Sequence, residues 1–177
     1  HKEDGLTSYE LGFHAEYTTK REILEDISEL SKKYHAPIYT HNSESASEVA
    51  QCVERTGMTP TVYMEQLGLF EYGGGLYHCV HMSEEDLDVV KRHQISVITN
   101  PASNLKLASG IAPIEEMLKR NIDLAIGTDG PASNNCLDMF REMFLVTALA
   151  KYRENDASAV DAAEVLKMAI TGGAKAM

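Results

Sequence analysis

The chain has 177 residues, of which 44% are hydrophobic and 24% charged, a composition typical of one soluble globular domain. Its net charge of −11 argues against a nucleic-acid backbone or an anionic membrane as a partner, because both bind basic surfaces. No apolar run reaches the roughly 18 residues needed to span a bilayer, and the first five residues have no secretory character.

The predicted strands and helices alternate along the chain. The strands are expected at residues 11–13, 37–40, 76–80, 95–99 and 123–127. The helices are expected at about 19–34, 45–57, 59–68, 83–93, 113–120, 138–151 and 157–176, with a polar loop at 100–110. Thr18 or Thr19 is the expected N-cap of the first helix, and Ser45 or Ser47 that of the second. This alternation predicts right-handed βαβ units and a parallel sheet, a little over half of an eight-stranded barrel of about 250 residues.

Three cysteines, an odd number without metal-binding spacing, lie at positions 52, 79 and 136. They favour reduced, buried thiols and a cytoplasmic protein. The chain also starts and stops without clear structural signals, which predicts a fragment of a longer protein.

Four predicted strands lead to a polar, metal-competent side chain: His14, His41, His78 and Asp129. Because the carboxyl ends of parallel strands meet at one edge of a barrel, we expect a single site there.

Asp129 is the sharpest of these candidates, since it follows an apolar strand and opens a loop rich in Gly, Pro, Ser and Asn. A carboxylate in that position is costly unless it meets a cation or strong donors. Capping the next helix is the alternative, but Ser133, Asn134 and Asn135 are better placed for that role.

The histidine segments leave two interpretations open. His41 could bind zinc while Glu44 moves protons, or the pair could be a loop histidine beside a helix carboxylate. His78 could orient water, with His81 as a turn residue, or either could be a core histidine satisfied by backbone groups. The amides and hydroxyls of loop 100–110 could hold a polar heterocycle.

Residues 41–45, 78–81, 100–113 and 127–140 form a pattern in this order, and its most specific part is Asn-Pro-x-Ser-Asn-Leu-Lys-Leu (100–107) followed by Gly-Thr-Asp-Gly (127–130). The pattern resembles the amidohydrolase superfamily, in particular the methylthioadenosine/S-adenosylhomocysteine deaminase branch and its chlorohydrolase relatives. The resemblance implies an α/β fold, a partial (β/α)8 TIM-like metal-dependent hydrolase barrel of about strands 4–8. Residues 1–177 would be one partial barrel domain without the N-terminal strands and the β-sandwich.

The resemblance also implies a divalent metal, zinc or alternatively iron, bound by His41 and Asp129. It implies hydrolytic deamination of an adenosine-like nucleoside, in which a metal-bound hydroxide attacks purine C6. Asp129 would take a proton from the water, His78 would orient the hydroxide, and Glu44 would protonate the ring nitrogen.

Substrate contacts follow from the same resemblance. Ser103 and Asn104 lie where the family contacts the nucleoside, and His14 where it reaches the sugar or its 5′ substituent. A small purine nucleoside is thus the expected ligand, and we expect the chain to form a homo-oligomer.

Two departures from the family pattern keep alternatives open. No His-x-His pair occurs in the chain, so the metal would lose part of its usual ligand set. We therefore expect this chain alone to be inactive, and a metal-free state of the chain is one of the alternatives. Residues 13–17 also replace the usual Pro-His-Ser-Pro-Tyr. The alternatives are a guanine-type base deaminase, a chlorohydrolase, or a catalytically silent half-barrel that self-associates; Glu44 favours deamination over dechlorination.

Overall fold

The computed structural model describes residues 9–177, which form a parallel five-stranded sheet of order β1-β2-β3-β4-β5. The strands are β1 (Leu11–Gly12), β2 (Ile38–Asn42), β3 (Gly74–His78), β4 (Ser96–Thr99) and β5 (Leu124–Ile126). Each strand pairs with the next one along the chain, which confirms the predicted α/β fold with parallel strands. The expectation about the first five residues lies outside the described part of the chain.

Helices connect the strands, as parallel pairing requires. They are α1 (Arg21–Tyr34), α2 (Ala46–Thr56), α3 (Pro60–Gln66), α4 (Glu84–Arg92), α5 (Pro101–Lys106), α6 (Ile114–Lys119), α7 (Pro131–Asn134), α8 (Met139–Glu154), α9 (Ala162–Lys167) and α10 (Gly173–Ala176). A 3-10 turn at Glu16–Thr18 precedes α1, and a π-helical turn at Met168–Gly172 joins α9 to α10. From residue 9 onward, no helix is both long and apolar enough to cross a membrane.

The sheet packs apolar side chains on both faces. The main core joins strand residues such as Leu76, Val97 and Leu124 to helix residues such as Met117. On the opposite face, a smaller cluster comprises Ile98, Ala125 and Ala176, with Tyr77 packed against it. Covering both faces explains why β4 and β5 are buried along their whole length and consist of short apolar runs.

The first helix begins later than predicted. Thr18 and Thr19 do not cap it, because both hydroxyls donate to the carbonyl of Ala15, at 2.9 and 3.0 Å, and close the 3-10 turn instead. The helix starts at Arg21, after Lys20 as an N-cap without a side-chain hydrogen bond. For α2 the prediction is confirmed, since the hydroxyl of Ser45 accepts the Glu48 N–H.

The third strand also ends earlier than predicted. His78 and Cys79 adopt φ values of 70° and 49°, outside the extended region, so residues 79 and 80 are not part of the strand. The N–H groups of Cys79 and Val80 donate to the carbonyls of Asn42 and Ser43, which turns the chain across the end of β2. This turn aims the last side chain of β3, His78, at the edge of the sheet.

One predicted loop was wrong, and one predicted helix was wrong in its start. The predicted loop 100–110 contains helix α5, which Pro101 begins with its fixed φ at the first helical position. The last helical region starts at Ala162 rather than residue 157, because the Asp161 carboxylate caps it by accepting the N–H groups of Ala163 and Glu164.

Candidate active site

The polar residues singled out in the sequence lie at the carboxyl end of the sheet. His41 is the next-to-last residue of β2, and His78 is the last residue of β3. Helix α5 begins two residues after β4, and Asp129 follows the end of β5 by three residues. Since the strands are parallel, these segments leave the sheet at the same edge, as predicted.

The ring of His41 is oriented by the backbone of its neighbouring strand segment. Its Nδ1 lies 2.7 Å from the carbonyl oxygen of His14, and because a carbonyl only accepts, Nδ1 carries the proton. The lone pair of a neutral His41 is therefore on Nε2. The ring stacks on His78, with centroids 5.3 Å apart and an interplanar angle of 23°, and lies 4.6 Å from the ring of the exposed His14.

His78 is almost fully buried and is fixed by Asn104. The amide oxygen of Asn104 lies 2.7 Å from Nδ1 of His78, so Nδ1 donates and Nε2 is left as the acceptor of the neutral ring. Within residues 9–177, Nε2 has no hydrogen-bond partner, and Glu44 Oε2 is 3.7 Å away. A buried ring nitrogen without a partner, beside a carboxylate, is an acceptor available to a bound water or ligand.

Glu44 is half-buried and is oriented by a residue that the sequence analysis missed. The Ser109 hydroxyl donates to Glu44 Oε1 at 3.1 Å, across 65 positions of sequence. The Ser109 carbonyl in turn lies 2.7 Å from Nε2 of His81. A backbone group thus satisfies His81, which agrees with the alternative of a histidine without a role in the site. Together these contacts hold Glu44 toward His78.

Glu48 holds the loop that carries Glu44. Its carboxylate accepts the N–H groups of Ser43 and Glu44 at 2.9 and 2.8 Å, and that of Ser45 at 3.4 Å. Burial raises the pKa of Glu48, and these backbone hydrogen bonds offset only part of that increase. The Ser-x-x-Glu spacing of a capping box is present in the sequence, but it does not by itself predict that Glu48 binds the loop that carries Glu44.

Asp129 accepts hydrogen bonds at both carboxylate oxygens. The hydroxyls of Ser103 and Ser133 donate to Oδ2 at 2.6 and 2.8 Å, and the Gly130 N–H donates to Oδ1 at 2.7 Å. Burial raises the pKa of Asp129, but these hydrogen bonds outweigh the effect of burial, so the pKa lies below its ordinary value. The carboxylate is thus ionised at neutral pH.

The predicted caps of the helix after Asp129 were wrong. Ser133, Asn134 and Asn135 lie in or just after the short helix α7, and they leave the start of α8 to another residue. Asp138 caps α8 by accepting the N–H of Phe140 at 2.9 Å. Ser133 is therefore free to bond Asp129 instead.

Adjacent residues of α5 reach two different groups of the site. Ser103 donates to Asp129, and its neighbour Asn104 accepts from His78. Both α5 side chains are almost completely buried. Their direct contact with a nucleoside stays a prediction, as does that of His14.

The donor groups fit a divalent metal, although the ligand set is incomplete. A neutral histidine with a free Nε2, His41, and an ionised carboxylate, Asp129, are typical zinc ligands. Within the part of the chain that the structure describes, no group of three or more His, Cys, Asp or Glu side chains could hold a metal ion. Catalytic zinc takes three or more protein ligands, so these residues would need at least one further ligand.

Comparisons of sequence place the chain beside known enzymes. The profile of the amidohydrolase family matches residues 1–177. A 5-methylthioadenosine/S-adenosylhomocysteine deaminase from Caldanaerobacter subterraneus subsp. tengcongensis is 44% identical over 176 residues, covering 99% of this chain and 41% of that protein. A 5'-deoxyadenosine deaminase from Methanocaldococcus jannaschii is 40% identical over 168 residues, covering 94% of this chain and 40% of that protein. The chain thus spans about two fifths of the length of these relatives.

A comparison of structures agrees with the sequence match. The crystal structure of an adenosine deaminase from Xanthomonas campestris with bound zinc superposes with a TM-score of 0.93 at 39% identity. The superposition covers 99% of this chain and 40% of that one. The likeness confirms the predicted amidohydrolase-type fold, of which this chain forms a part.

Proposed function

The chain belongs to the amidohydrolase family, and on that premise we propose that it carries catalytic groups of a metal-dependent nucleoside deaminase. The substrate class is an adenosine-like nucleoside of the methylthioadenosine or S-adenosylhomocysteine type. The main support is the shared anchoring of two separate groups by one helix, since Ser103 and Asn104 of α5 bond Asp129 and His78 respectively. The names of the relatives point to the same chemistry.

His41 and Asp129 would hold a divalent metal, with zinc as the proposed ion because a structural relative was crystallised with it. When bound, such a metal lowers the pKa of a water ligand and makes a nucleophile available near neutral pH. The remaining ligands would come from outside this sequence, since the relatives have additional chain.

Asp129 and His78 would act on the attacking water. The low pKa of Asp129 keeps its carboxylate ionised, so it can accept a proton from water. His78 presents an unpaired Nε2, held in place by Asn104, which can accept a hydrogen bond from the same water. The two groups thus orient the water toward C6 of the purine.

Glu44 would carry a proton to the substrate. Protonation of the ring nitrogen beside C6 makes that carbon a better electrophile as water adds to it. Asp129 would pass the proton that it took from water to the amino group, and the C6–N bond would break with ammonia as the leaving group. The C6 hydroxyl would return its proton to Glu44, which leaves a 6-oxopurine nucleoside. The Ser109 hydrogen bond to Oε1 fixes the carboxylate while Oε2 faces His78.

The substrate end of the site would be lined by His14 and Tyr17. Both side chains are exposed, and their rings make an edge contact with centroids 6.3 Å apart. His14 also lies against His41, so a ligand that contacts His14 is next to the proposed metal ligand. We propose that this surface meets the sugar and its 5′ substituent.

The test uses a polypeptide that carries residues 1–177 together with the additional length of its relatives. Methylthioadenosine, S-adenosylhomocysteine, adenosine, 5'-deoxyadenosine and guanine are supplied, and ammonia release and zinc content are measured. We expect deamination of the nucleosides, and a loss of about 10²- to 10⁴-fold in kcat for Glu44→Gln with zinc retained. His41→Ala is expected to lose zinc and activity together.

Glu54→Gln is the matched control, because Glu54 is an exposed residue of α2. The same chemical change there should leave ammonia release and zinc content unchanged. Deamination of guanine alone would replace the nucleoside by a base as the substrate. A polypeptide of full family length that holds no metal after dialysis, yet is folded, would refute the proposal.

A further inference from the structure

Glu142 is a completely buried carboxylate that has no part in the proposed chemistry. It lies in the first turn of α8 and has 0% of its surface exposed. Burying a carboxylate is costly unless both of its oxygens meet good donors. Its contacts therefore indicate what it does in the fold.

Each oxygen of Glu142 binds a different short helix. Oε2 accepts the backbone N–H of Ala102 in α5 at 3.0 Å, and Oε1 accepts the side-chain amide of Asn134 in α7 at 2.8 Å. The same amide nitrogen of Asn134 donates to the carbonyl of Thr128 at 2.6 Å. One carboxylate thus ties together α5, α7 and the segment that leads to Asp129.

The residues next to these contacts are the two serines that bond Asp129. Ser103 follows Ala102 in α5, and Ser133 precedes Asn134 in α7. Both hydroxyls, the serine pair, donate to the same atom, Asp129 Oδ2. Convergence of two donors on one oxygen depends on the separation of the two helices.

We propose that Glu142 is a positioning residue, which sets the separation of α5 and α7 so that the serine pair converges on Asp129 Oδ2. Its importance for catalysis rests on the proposed function, but its effect on Asp129 does not require metal or substrate. If Glu142 only stabilised the fold, its replacement would lower the free energy of unfolding without changing the geometry of the Asp129 carboxylate.

The chemistry requires an acceptor at both oxygens. Both partners of Glu142 are N–H groups, so Glu142→Gln keeps the shape but places an amide N–H against one of them. The substitution preserves the volume of the buried side chain, and its effect therefore reports on hydrogen-bond polarity rather than on a cavity.

The amide of Gly130 provides the readout, because it donates to Asp129 Oδ1 at 2.7 Å. The experiment records 1H–15N spectra of the metal-free 177-residue chain at constant pH. We expect Glu142→Gln to move the Gly130 amide proton upfield, as its bond to Asp129 lengthens. Ser103→Ala is expected to move it in the same direction, because the Ser103 hydroxyl donates to Asp129 Oδ2, whereas the Ser133 hydroxyl also donates to the Gly130 carbonyl and would disturb Gly130 directly.

Glu115→Gln is the matched control. Glu115 Oε2 also accepts a backbone N–H, that of Val160 at 3.1 Å, but it has no contact with α5 or α7 among the described hydrogen bonds. Glu115→Gln should shift the amide proton signal of Val160 and leave that of Gly130 unchanged. A Glu142→Gln variant that loses stability while the Gly130 signal stays at its original position would overturn the proposal.

Asn134→Ala covers the case in which Glu142→Gln does not fold. It removes the amide that links Glu142 to α7 and that also donates to the Thr128 carbonyl, and it leaves the link to α5 intact, so an upfield shift of the Gly130 amide proton is expected. An unchanged Gly130 signal in this variant would also overturn the proposal. Absence of deaminase activity in the unsubstituted longer protein would instead refute the proposed function, without altering these spectra.

Discussion

The side-chain oxygen of Asn104 lies 2.7 Å from Nδ1 of His78, in a contact that buries both residues. Because the oxygen can only accept, it selects the tautomer in which Nδ1 carries the proton and Nε2 has the lone pair. Asn104 alone therefore determines that Nε2, the His78 nitrogen nearer to Glu44, is the one without a proton.

Replacing Asn104 by leucine should remove that selection. In the unsubstituted chain at neutral or higher pH, we expect 15N NMR to show a protonated Nδ1 and an unprotonated Nε2 for His78. In Asn104→Leu the two nitrogens should give signals typical of mixed tautomers. The exposed His35 is the internal control, and its signals should be the same in both proteins. A fixed Nδ1–H in the leucine variant would show that another group selects the tautomer.

The hydrogen bonds to Asp129 predict a pH-dependent contribution to stability. The folded pKa of Asp129 lies below its unfolded value, so the ionised group stabilises the fold above about pH 4, and this contribution is lost as the pH falls through the folded pKa. Ser133→Ala should therefore lower the free energy of unfolding by about 1–2 kcal/mol at pH 7. The difference from the unsubstituted chain should shrink at pH values below the folded pKa.

Urea unfolding at a series of pH values measures this difference. Ser158→Ala is the comparison, because the Ser158 hydroxyl donates to Asp156 in an exposed version of the same contact. Its effect should be smaller at every pH, since solvent screens the interaction. A Ser133→Ala difference that is as large in acid as at neutral pH would mean that the hydroxyl stabilises the fold without favouring the ionised carboxylate.

The sequence predicted the edge of the sheet that carries the site because alternating apolar strands and helices leave few possible topologies. His41, His78 and Asp129 lie at strand ends, where local patterns are informative. The N-cap prediction, Ser45 or Ser47, was equally local and correctly placed the start of α2 at Ser45.

The contacts that orient the site could not be predicted in the same way. Ser109 and Glu44 are 65 positions apart, and Glu142 and Ala102 are 40 apart, so only the tertiary structure brings them together. Helix α5 was missed for another reason: its polar composition is typical of a loop, while burial of residues such as Ser103 between packed helices stabilises it as a helix.

The three cysteines should differ sharply in reactivity. Burial raises the pKa of Cys52 to about 11 and that of Cys79 to about 12, whereas Cys136 is only half-buried. At pH 8 the thiolate fraction of Cys79 is about one in ten thousand, and access is blocked as well. Iodoacetamide followed by mass spectrometry should find label on Cys136 first. Rapid native-state labelling of either buried thiol would indicate local opening, and Cys136→Ser is the variant that removes the fast reaction.

We expect alanine substitutions at two adjacent glycines, Gly172 and Gly173, to change the stability of the chain in opposite directions. A Cβ on Gly172 would lie 2.0 Å from the carbonyl oxygen of Leu124 in β5, whereas one on Gly173 would have no atom within 4 Å. Both residues have helical backbone angles, so alanine is compatible with the conformation at either position.

Gly172→Ala must therefore push the π-helical turn away from the sheet, which we expect to cost about 2–3 kcal/mol of stability. Gly173→Ala should instead stabilise the chain by up to about 1 kcal/mol, because alanine loses less backbone entropy in a helix. Thermal melting of the two variants beside the unsubstituted chain gives the order directly. Equal melting temperatures for the two variants would mean that the turn after α9 does not pack on Leu124 in solution, and the close approach of this turn to β5 would have to be abandoned.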